Sequence, residues 1–208
     1  VNFNEDINVN ALSQSDNFTI TGNLNNTAFN GDKTTNPDVA LQLEGNEIST
    51  QANFQFDNSD LAMDVWLYRQ ADGNIVSIGT DDNKLALYTE NGMTKVRVGG
   101  NDTSHIVTSG VQLPADKWLY LALSYKHDSA TDKGVLNAIY ADADHDRPVD
   151  ILKDVETSGI DIRGKLTVGD DKMKGRMRDL TLWNDTRDVL QLYNDRENSK
   201  ASYMPGLV

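Results

Sequence analysis

An all-β fold, built as an antiparallel sandwich or barrel, is what this sequence predicts, and three observations carry it. Roughly a dozen short runs with apolar residues on alternate positions follow one another at ~8 to 12 residue spacing, the rhythm of strands and turns. Between them stand Asp72-Gly73, Asn91-Gly92, Gly99-Gly100 and Asp132-Lys133-Gly134, residues that accept positive φ at little cost and suit tight hairpins. Of the 32 acidic residues 26 are Asp and only 6 are Glu, and 21 Asn add further short polar side chains, which favour turns and disfavour helix interiors. No β-α alternation points to a parallel sheet, and no repeat of ~20 to 50 residues divides the chain. At 208 residues the chain fits one large β domain as easily as two small ones, and no composition shift in the middle argues for a cut.

Each element has its own signal. Residues 1–37 are polar, with one alternating run at Phe18-Thr19-Ile20-Thr21 before Gly22-Asn23, predicting an entering strand and then a loose loop or linker from Gly31 to Pro37. Val39, Leu41 and Leu43 alternate ahead of the Gly45-Asn46 turn, and 48–56 reads as the next strand. In 61–69, Leu61, Met63, Val65 and Leu67 share one face, and Ala62, Trp66 and Tyr68 the other. Strands are further predicted over 74–78, 85–89, 95–98, 106–109, 118–125, 135–141 and 166–169. The central strand is placed at 175–184, where Leu180 and Leu182 point one way and Thr181 and Trp183 the other. Met177 is out of step with that pair, so a one-residue bulge is expected around Arg178-Asp179 to return it to the buried face. A short helix is expected over 186–195, capped by Asp185 or Thr186 and laid on the sandwich edge, with Val189, Leu192 and Tyr193 on one side. Residues 199–208 are read as an exit linker. Val65, Leu67, Leu121, Leu123, Leu180 and Leu182 are expected between the sheets.

Charge and composition narrow the function. The formal net charge of −13 repels phosphate backbones, so nucleic acid is not an expected partner. With no cysteine there are no disulfides and no thiolate metal sites. No apolar run approaches the ~20 residues that span a bilayer as a helix. The start at Val1 without Met and the Pro205-Gly206-Leu207-Val208 end predict a piece of a longer protein, with linked neighbouring domains.

Three segments carry a resemblance. Trp66-Leu67-Tyr68-Arg69 closes an "aliphatic-x-x-x-Trp-aliphatic" strand. Trp118-Leu119-Tyr120-Leu121-Ala122-Leu123-Ser124-Tyr125 follows a short turn from Leu113-Pro114. Leu166-Thr167-Val168-Gly169 precedes the strand from Gly175 to Asn184. In this order they resemble the laminin G-like branch of the concanavalin A-like lectin/glucanase superfamily over residues 38–198. The resemblance implies a jelly-roll sandwich of two antiparallel sheets. It further implies a non-catalytic recognition or adhesion module of an exported bacterial multi-domain protein, extracellular or on the cell surface. Its expected partner is a glycan or a surface or matrix protein, often with a calcium ion. A ligand-free spacer domain is the alternative. Two departures stand out: Arg178-Asp179 replaces the family's Asp-Glu pair, whose first carboxylate serves a calcium in many relatives, and none of the Glu residues forms the Glu-x-Asp-x-Glu strand of the glucanases. A glycan hydrolase needs two carboxyls ~5 to 9.5 Å apart, so no catalytic residue is assigned.

Candidate sites follow from residue type. Tyr68, Tyr88 and Tyr120 are candidates for an exposed stacking platform; Trp66, Trp118 and Trp183 lie in strand patterns that suit core packing. Asp81-Asp82 and Asp170-Asp171 sit in loops between strands, where crowded acids either meet a hard cation or stand solvated. Asp142, Asp144 and Asp146 are spaced like the start of a calcium loop, but Arg147 and Lys153 take the places of its Gly and Glu, so a solvated acidic turn is the plainer reading. If calcium binds, one of these three acidic loops is where it is expected. His105, His127 and His145 are scattered, with no nucleophile motif beside them.

Overall fold

The computed structural model describes residues 18–21, 26–29, 38–50, 53–55, 60–100, 106–185 and 187–196. Along them run the strands β1 (Phe18–Thr21), β2 (Asn26–Phe29), β3 (Asp38–Glu44), β4 (Glu47–Thr50), β5 (Phe54–Gln55), β6 (Leu61–Arg69), β7 (Gly73–Gly79) and β8 (Lys84–Glu90). There follow β9 (Met93–Gly99), β10 (Ile106–Gln112), β11 (Trp118–Asp128), β12 (Lys133–Ala141), β13 (Val149–Ser158), β14 (Arg163–Gly164), β15 (Leu166–Gly169), β16 (Lys174–Trp183) and the helix α1 (Val189–Asn194). Among the described residues they form two seven-stranded sheets, ordered β1-β4-β15-β7-β8-β9-β10 and β13-β12-β11-β6-β16-β3-β2, with β14 and β5 paired by themselves. Every pairing is antiparallel. The chain passes repeatedly between the sheets, as a jelly roll does.

Alternation decides what lies between them. Leu41 and Leu43, Met63, Val65 and Leu67, Leu85 and Leu87, Val96 and Val98, Leu121 and Leu123 all point into one continuous core, and the six residues expected there are each at most 1% exposed. The predicted bulge in β16 is present: its register against β6 shifts between Arg178 and Thr181. Asp179 turns the strand with φ 56, a conformation that short Asx side chains tolerate. Met177, Leu180 and Leu182 thereby all reach the core, and Trp183 faces the other way. The Asn91-Gly92 hairpin has both residues at positive φ, 53 and 76, as a tight turn between twisted strands requires.

The structure corrects several expectations. The run 48–56 is two pieces, β4 and β5, in different sheets. Strand β13 has no clean alternation in sequence, because its pairing with β12 shifts twice and Asp154 adopts φ 49, leaving Ile151 and Leu152 both buried in succession. Helix α1 is capped by Asp188, whose Oδ1 accepts from the amides of Leu190 at 2.7 Å and Gln191 at 3.2 Å, three and two residues beyond the caps expected. It lies on the outer face of the second sheet, against β11 and β12, and not on an edge. Val189 and Leu192 cover Ala62, Ala122, Ile139 and Trp183 there, forming a second small core. Asp64 is 1% exposed beneath it and is held by the Tyr120 hydroxyl at 3.1 Å and the Trp183 indole at 3.2 Å. The entering strand exists as β1, paired with β4. The loop and linkers expected over 1–17, 30–37 and 199–208, the capping residue Thr186, and His105, lie outside the described residues.

Candidate functional site

The outer face of the first sheet carries a groove of about 600 Å³ across β4, β15, β7, β8 and β9. Its floor is fixed by strand register. One cross-strand row reads Ser49, Thr167, Ser77, Ala86 and Arg97; beside it Glu47 faces Gly169, and Asn74, Tyr88 and Lys95 form a second row, in which Asn74 Nδ2 donates to the Gly169 carbonyl at 3.0 Å. Small side chains in the first row leave a trough, and Tyr88 rises beside it as the aromatic ring of the groove. Arg97 donates to the Tyr88 hydroxyl and, through Nη1, to the Gly100 carbonyl at 2.6 Å. Burial raises the Tyr88 pKa, opposed by the charges of Arg97 and Lys95, so the phenol stays a neutral donor and acceptor.

The carboxylates at the groove margin are engaged. Asp170 Oδ1 accepts from the amides of Met173 at 2.7 Å and Lys172 at 3.0 Å, and Oδ2 from the Asn74 amide at 2.9 Å, so this side chain builds the rim loop. Gly73 passes so close that a Cβ there would lie 2.4 Å from Asp170 Oδ1. Lys95 bonds Glu90 and thereby lowers its pKa. Asp72 is bound by Arg69 and by the Gly92 amide, each at 2.8 Å.

The predicted acidic loops resolve differently. Asp81 and Asp82 are exposed, and Asp81 meets Lys84 at 3.5 Å. Asp171 is exposed beside the Asp170 loop, and Asp146 is exposed as well. Asp142, expected in a solvated turn, has a side chain with no exposure, because the Lys117 ammonium bridges it at 2.7 Å and Asp144 at 2.6 Å. His145 Nδ1 lies 2.6 Å from the other Asp142 oxygen, and the Asp144 amide donates to it at 3.0 Å. Lys117 thus supplies the positive charge that a cation would bring. Among the described residues no three carboxylate or histidine side chains converge as a metal-holding group, and in the turn from Asp142 to Asp146 the Lys117 ammonium takes the place between two carboxylates.

Burial pushes the Asp142 carboxyl up, but the hydrogen bonds from Lys117, His145 and the Asp144 amide outweigh it and hold the pKa at about 2, below the ordinary 3.8. A lowered folded pKa gives stability that is present above 3.8 and disappears as the pH falls through about 2. The stability gap between the chain and Asp142→Asn is therefore expected to be constant near neutrality and to close between those values, as read by denaturant unfolding at stepped pH. A gap that persists unchanged at pH 2 would contradict this.

Of the three tyrosines expected to form a platform, the structure does not bring them together. Tyr88 stands in the groove, while Tyr68 and Tyr120 belong to the other sheet. Tyr120 is 1% exposed and cannot offer a stacking face; burial and the adjacent Asp64 charge raise its pKa. Trp66 and Trp118, expected in the core, are half-buried on the outer face of the second sheet, and Trp183 alone of the three tryptophans is buried. There Arg176 lies 4.4 Å from the Tyr68 ring centroid and Arg178 5.2 Å from both Trp66 and Trp118. Neither these arginines nor Arg97 carries a motif. Their shared signal is alternation, since 176 and 178 fall on one face of β16.

A sandwich of two antiparallel sheets with a polar groove across one outer face is the architecture of a lectin-like domain. The laminin G-like model of the concanavalin A-like lectin/glucanases superfamily matches residues 43–192, and the chain belongs to that superfamily. Among solved structures it is similar to the binding domain of botulinum neurotoxin serotype D/C, with TM-score 0.56, 9% identity, and 87% of this chain and 47% of that chain covered. A second similar structure is the binding domain of botulinum neurotoxin DC in complex with SialylT, at TM-score 0.54 and 11% identity, over 87% and 47%. A third is the native heptameric SAP-like pentraxin from Limulus polyphemus, at TM-score 0.49 and 10% identity, over 92% and 91%. The chain thus spans about half the length of the neurotoxin binding domains, 47%. A comparison with curated protein sequences gives no match. No helix among the described residues is long and apolar enough to cross a membrane.

Proposed function

We propose that the chain is a non-catalytic recognition module that binds a glycan in the groove of the first sheet. The observation that carries this reading is the groove floor. A trough of small polar side chains beside a half-buried tyrosine, with an arginine locked against its hydroxyl, suits a pyranose ring that stacks on Tyr88 and exchanges hydrogen bonds with Arg97, Asn74 and Thr167. The neurotoxin binding domain solved with SialylT supports a saccharide as the ligand class.

Absence of catalysis belongs to the same proposal. A glycosidase keeps one carboxyl protonated by raising its pKa, whereas Glu90 is lowered by Lys95, and both oxygens of Asp170 are spent on three backbone amides of the rim. The same reading assigns calcium no part, supported at the Asp142 turn by the ammonium of Lys117, which stands between Asp142 and Asp144. An exported bacterial surface protein, with further domains linked to this one, is the proposed setting.

A glycan array followed by calorimetry on the best ligand tests the reading. Binding is expected to survive a chelator and to weaken by ~10-fold or more in Tyr88→Ala, the scale of a lost ring stack and its hydrogen bond. An array without a reproducible signal would favour a spacer domain, and binding abolished by chelator would return calcium to the site.

A further inference from the structure

The groove of the first sheet runs across the strands, and its two ends differ in chemistry. We propose, resting on the glycan reading above, that its ligand is an extended neutral oligosaccharide of at least three units, stacked on Tyr88 at one end and held through its hydroxyls by the Glu47 carboxylate at the other. Sheet order places the parts. Glu47 lies on β4 and Tyr88 on β8, with β15 and β7 between them, and both residues line the groove. Three strand spacings therefore separate the two, about 14 Å. The ground between them is low. Gly169 faces Glu47 and has no side chain, and Asn74, opposite Tyr88, is tied down by its Nδ2, which donates to the Gly169 carbonyl at 3.0 Å. A pyranose in an extended chain advances by roughly one strand spacing, ~5 Å. One sugar on Tyr88 thus falls short of Glu47, and a chain of three reaches it.

Charge selects the class of sugar. Glu47 is half-buried, and its carboxylate makes no hydrogen bond or ion pair among the described residues. The other carboxylates of the lining are engaged: Asp72 by Arg69 and the Gly92 amide, Glu90 by Lys95, and Asp170 by three amides of the rim. An ionised carboxylate only accepts, and its paired oxygens match two adjacent sugar hydroxyls through charge-assisted hydrogen bonds. The same charge repels a sugar that carries a carboxylate or a sulfate. The cations of the lining do not reverse this. Lys84 meets Asp81 at 3.5 Å, Arg97 is bound to the Tyr88 hydroxyl and the Gly100 carbonyl, and the charge of Lys172 acts on Glu90. A peptide is the weaker fit. Extended peptides dock by adding to a sheet edge, and β4, β15, β7 and β8 each have a hydrogen-bonded strand on both sides.

The experiment is an amide NMR titration of the whole chain with cello-, manno- and N-acetylchito-oligosaccharides from the monomer to the hexamer, and with trigalacturonate as the acidic trimer. At least one neutral series is expected to bind, with affinity rising by ~10-fold or more from monomer to trimer, the scale of hydrogen bonds to a charged group. The Glu47 and Gly169 amides are expected to shift with the trimer and not with the monomer. Glu47→Gln is expected to weaken trimer binding by ~10-fold or more, so that the advantage of the trimer over the monomer closes. The inference is overturned if no neutral series binds, if trigalacturonate binds as tightly as the neutral trimers, or if Glu47→Gln, folded by circular dichroism, binds the trimer as the parent does. A monomer that binds at Tyr88 as tightly as the trimer defeats the inference and leaves the glycan reading standing, whereas silence of every series and of the glycan array defeats both.

Discussion

Replacing Arg69 by Ala is expected to lower the unfolding free energy by about 3 kcal/mol, the scale of breaking a buried ion pair from one side. The side chain is 7% exposed at the rim where three connections meet. Its Nη1 donates to Asp72 Oδ1 at 2.8 Å, in the turn after β6, and its Nη2 to the Leu113 carbonyl ahead of β11. Asp72 in turn accepts from the Gly92 amide at 2.8 Å, and Gly92 accepts from the Leu113 amide at 3.0 Å. One guanidinium therefore ties the β6–β7 turn, the β8–β9 hairpin and the β10–β11 connection. Removing it leaves a buried carbonyl and a one-third-exposed carboxylate to find other partners. The melting temperature is expected to fall by roughly 6 to 12 °C. Arg69→Met, which keeps most of the volume, should lose nearly as much, because hydrogen bonds and not packing are at stake. A loss under ~1 kcal/mol would show that the rim closes without the guanidinium.

The second large effect is expected at Leu182. It is fully buried in the main core, opposite Met63 on β6, and its truncation to Ala should cost ~2 to 5 kcal/mol through lost transfer energy and the cavity left behind. The spread reflects how far Met63, Leu180 and Met177 can settle into the space. Leu190 on α1 is the matching control: at 50% exposure its truncation should stay within ~0.5 kcal/mol of the parent. Denaturant unfolding of both variants separates the outcomes. A neutral Leu182→Ala would mean that the β16 register is displaced, with the bulge at Asp179 wrongly placed.

Leu182 also shows what was legible in the sequence. The period-two pattern of β16 assigns its faces, and the out-of-step Met177 announces the bulge, because only an added residue returns it to the side of Leu180. Where two irregularities fall in one strand, as in β13, the same logic gives no answer. The groove was half legible. The Asn91-Gly92 turn fixes the hairpin, from which Tyr88 opposite Lys95 and Ala86 opposite Arg97 can be counted. That β15 and β4, distant in sequence, complete the floor cannot be counted from any turn. Tyr120 was misplaced because alternation says which face a residue takes and not whether a helix covers that face. The acidic turn was misread for a similar reason. Lys117 reaches Asp142 and Asp144 from the neighbouring strand end, where β11 begins beside the end of β12 with Tyr120 opposite Ala141, and the spacing within the turn itself does not reveal it.

The Gly92 amide has one more bearing, on how the chain ages. An asparagine followed by glycine is the pair most prone to spontaneous deamidation, in which the glycine nitrogen attacks the asparagine side-chain carbon and closes a five-membered imide. Here that nitrogen points its hydrogen at Asp72 Oδ2, 2.8 Å away, and the hairpin holds Asn91 at φ 53. To react, the amide must leave the carboxylate and lose its proton beside a negative charge, which disfavours the anion that does the attacking. The clamp that closes the rim is thus expected also to slow the conversion of Asn91 to aspartate or isoaspartate, and Arg69→Ala to let that chemical clock run faster, as peptide mapping of aged protein would read.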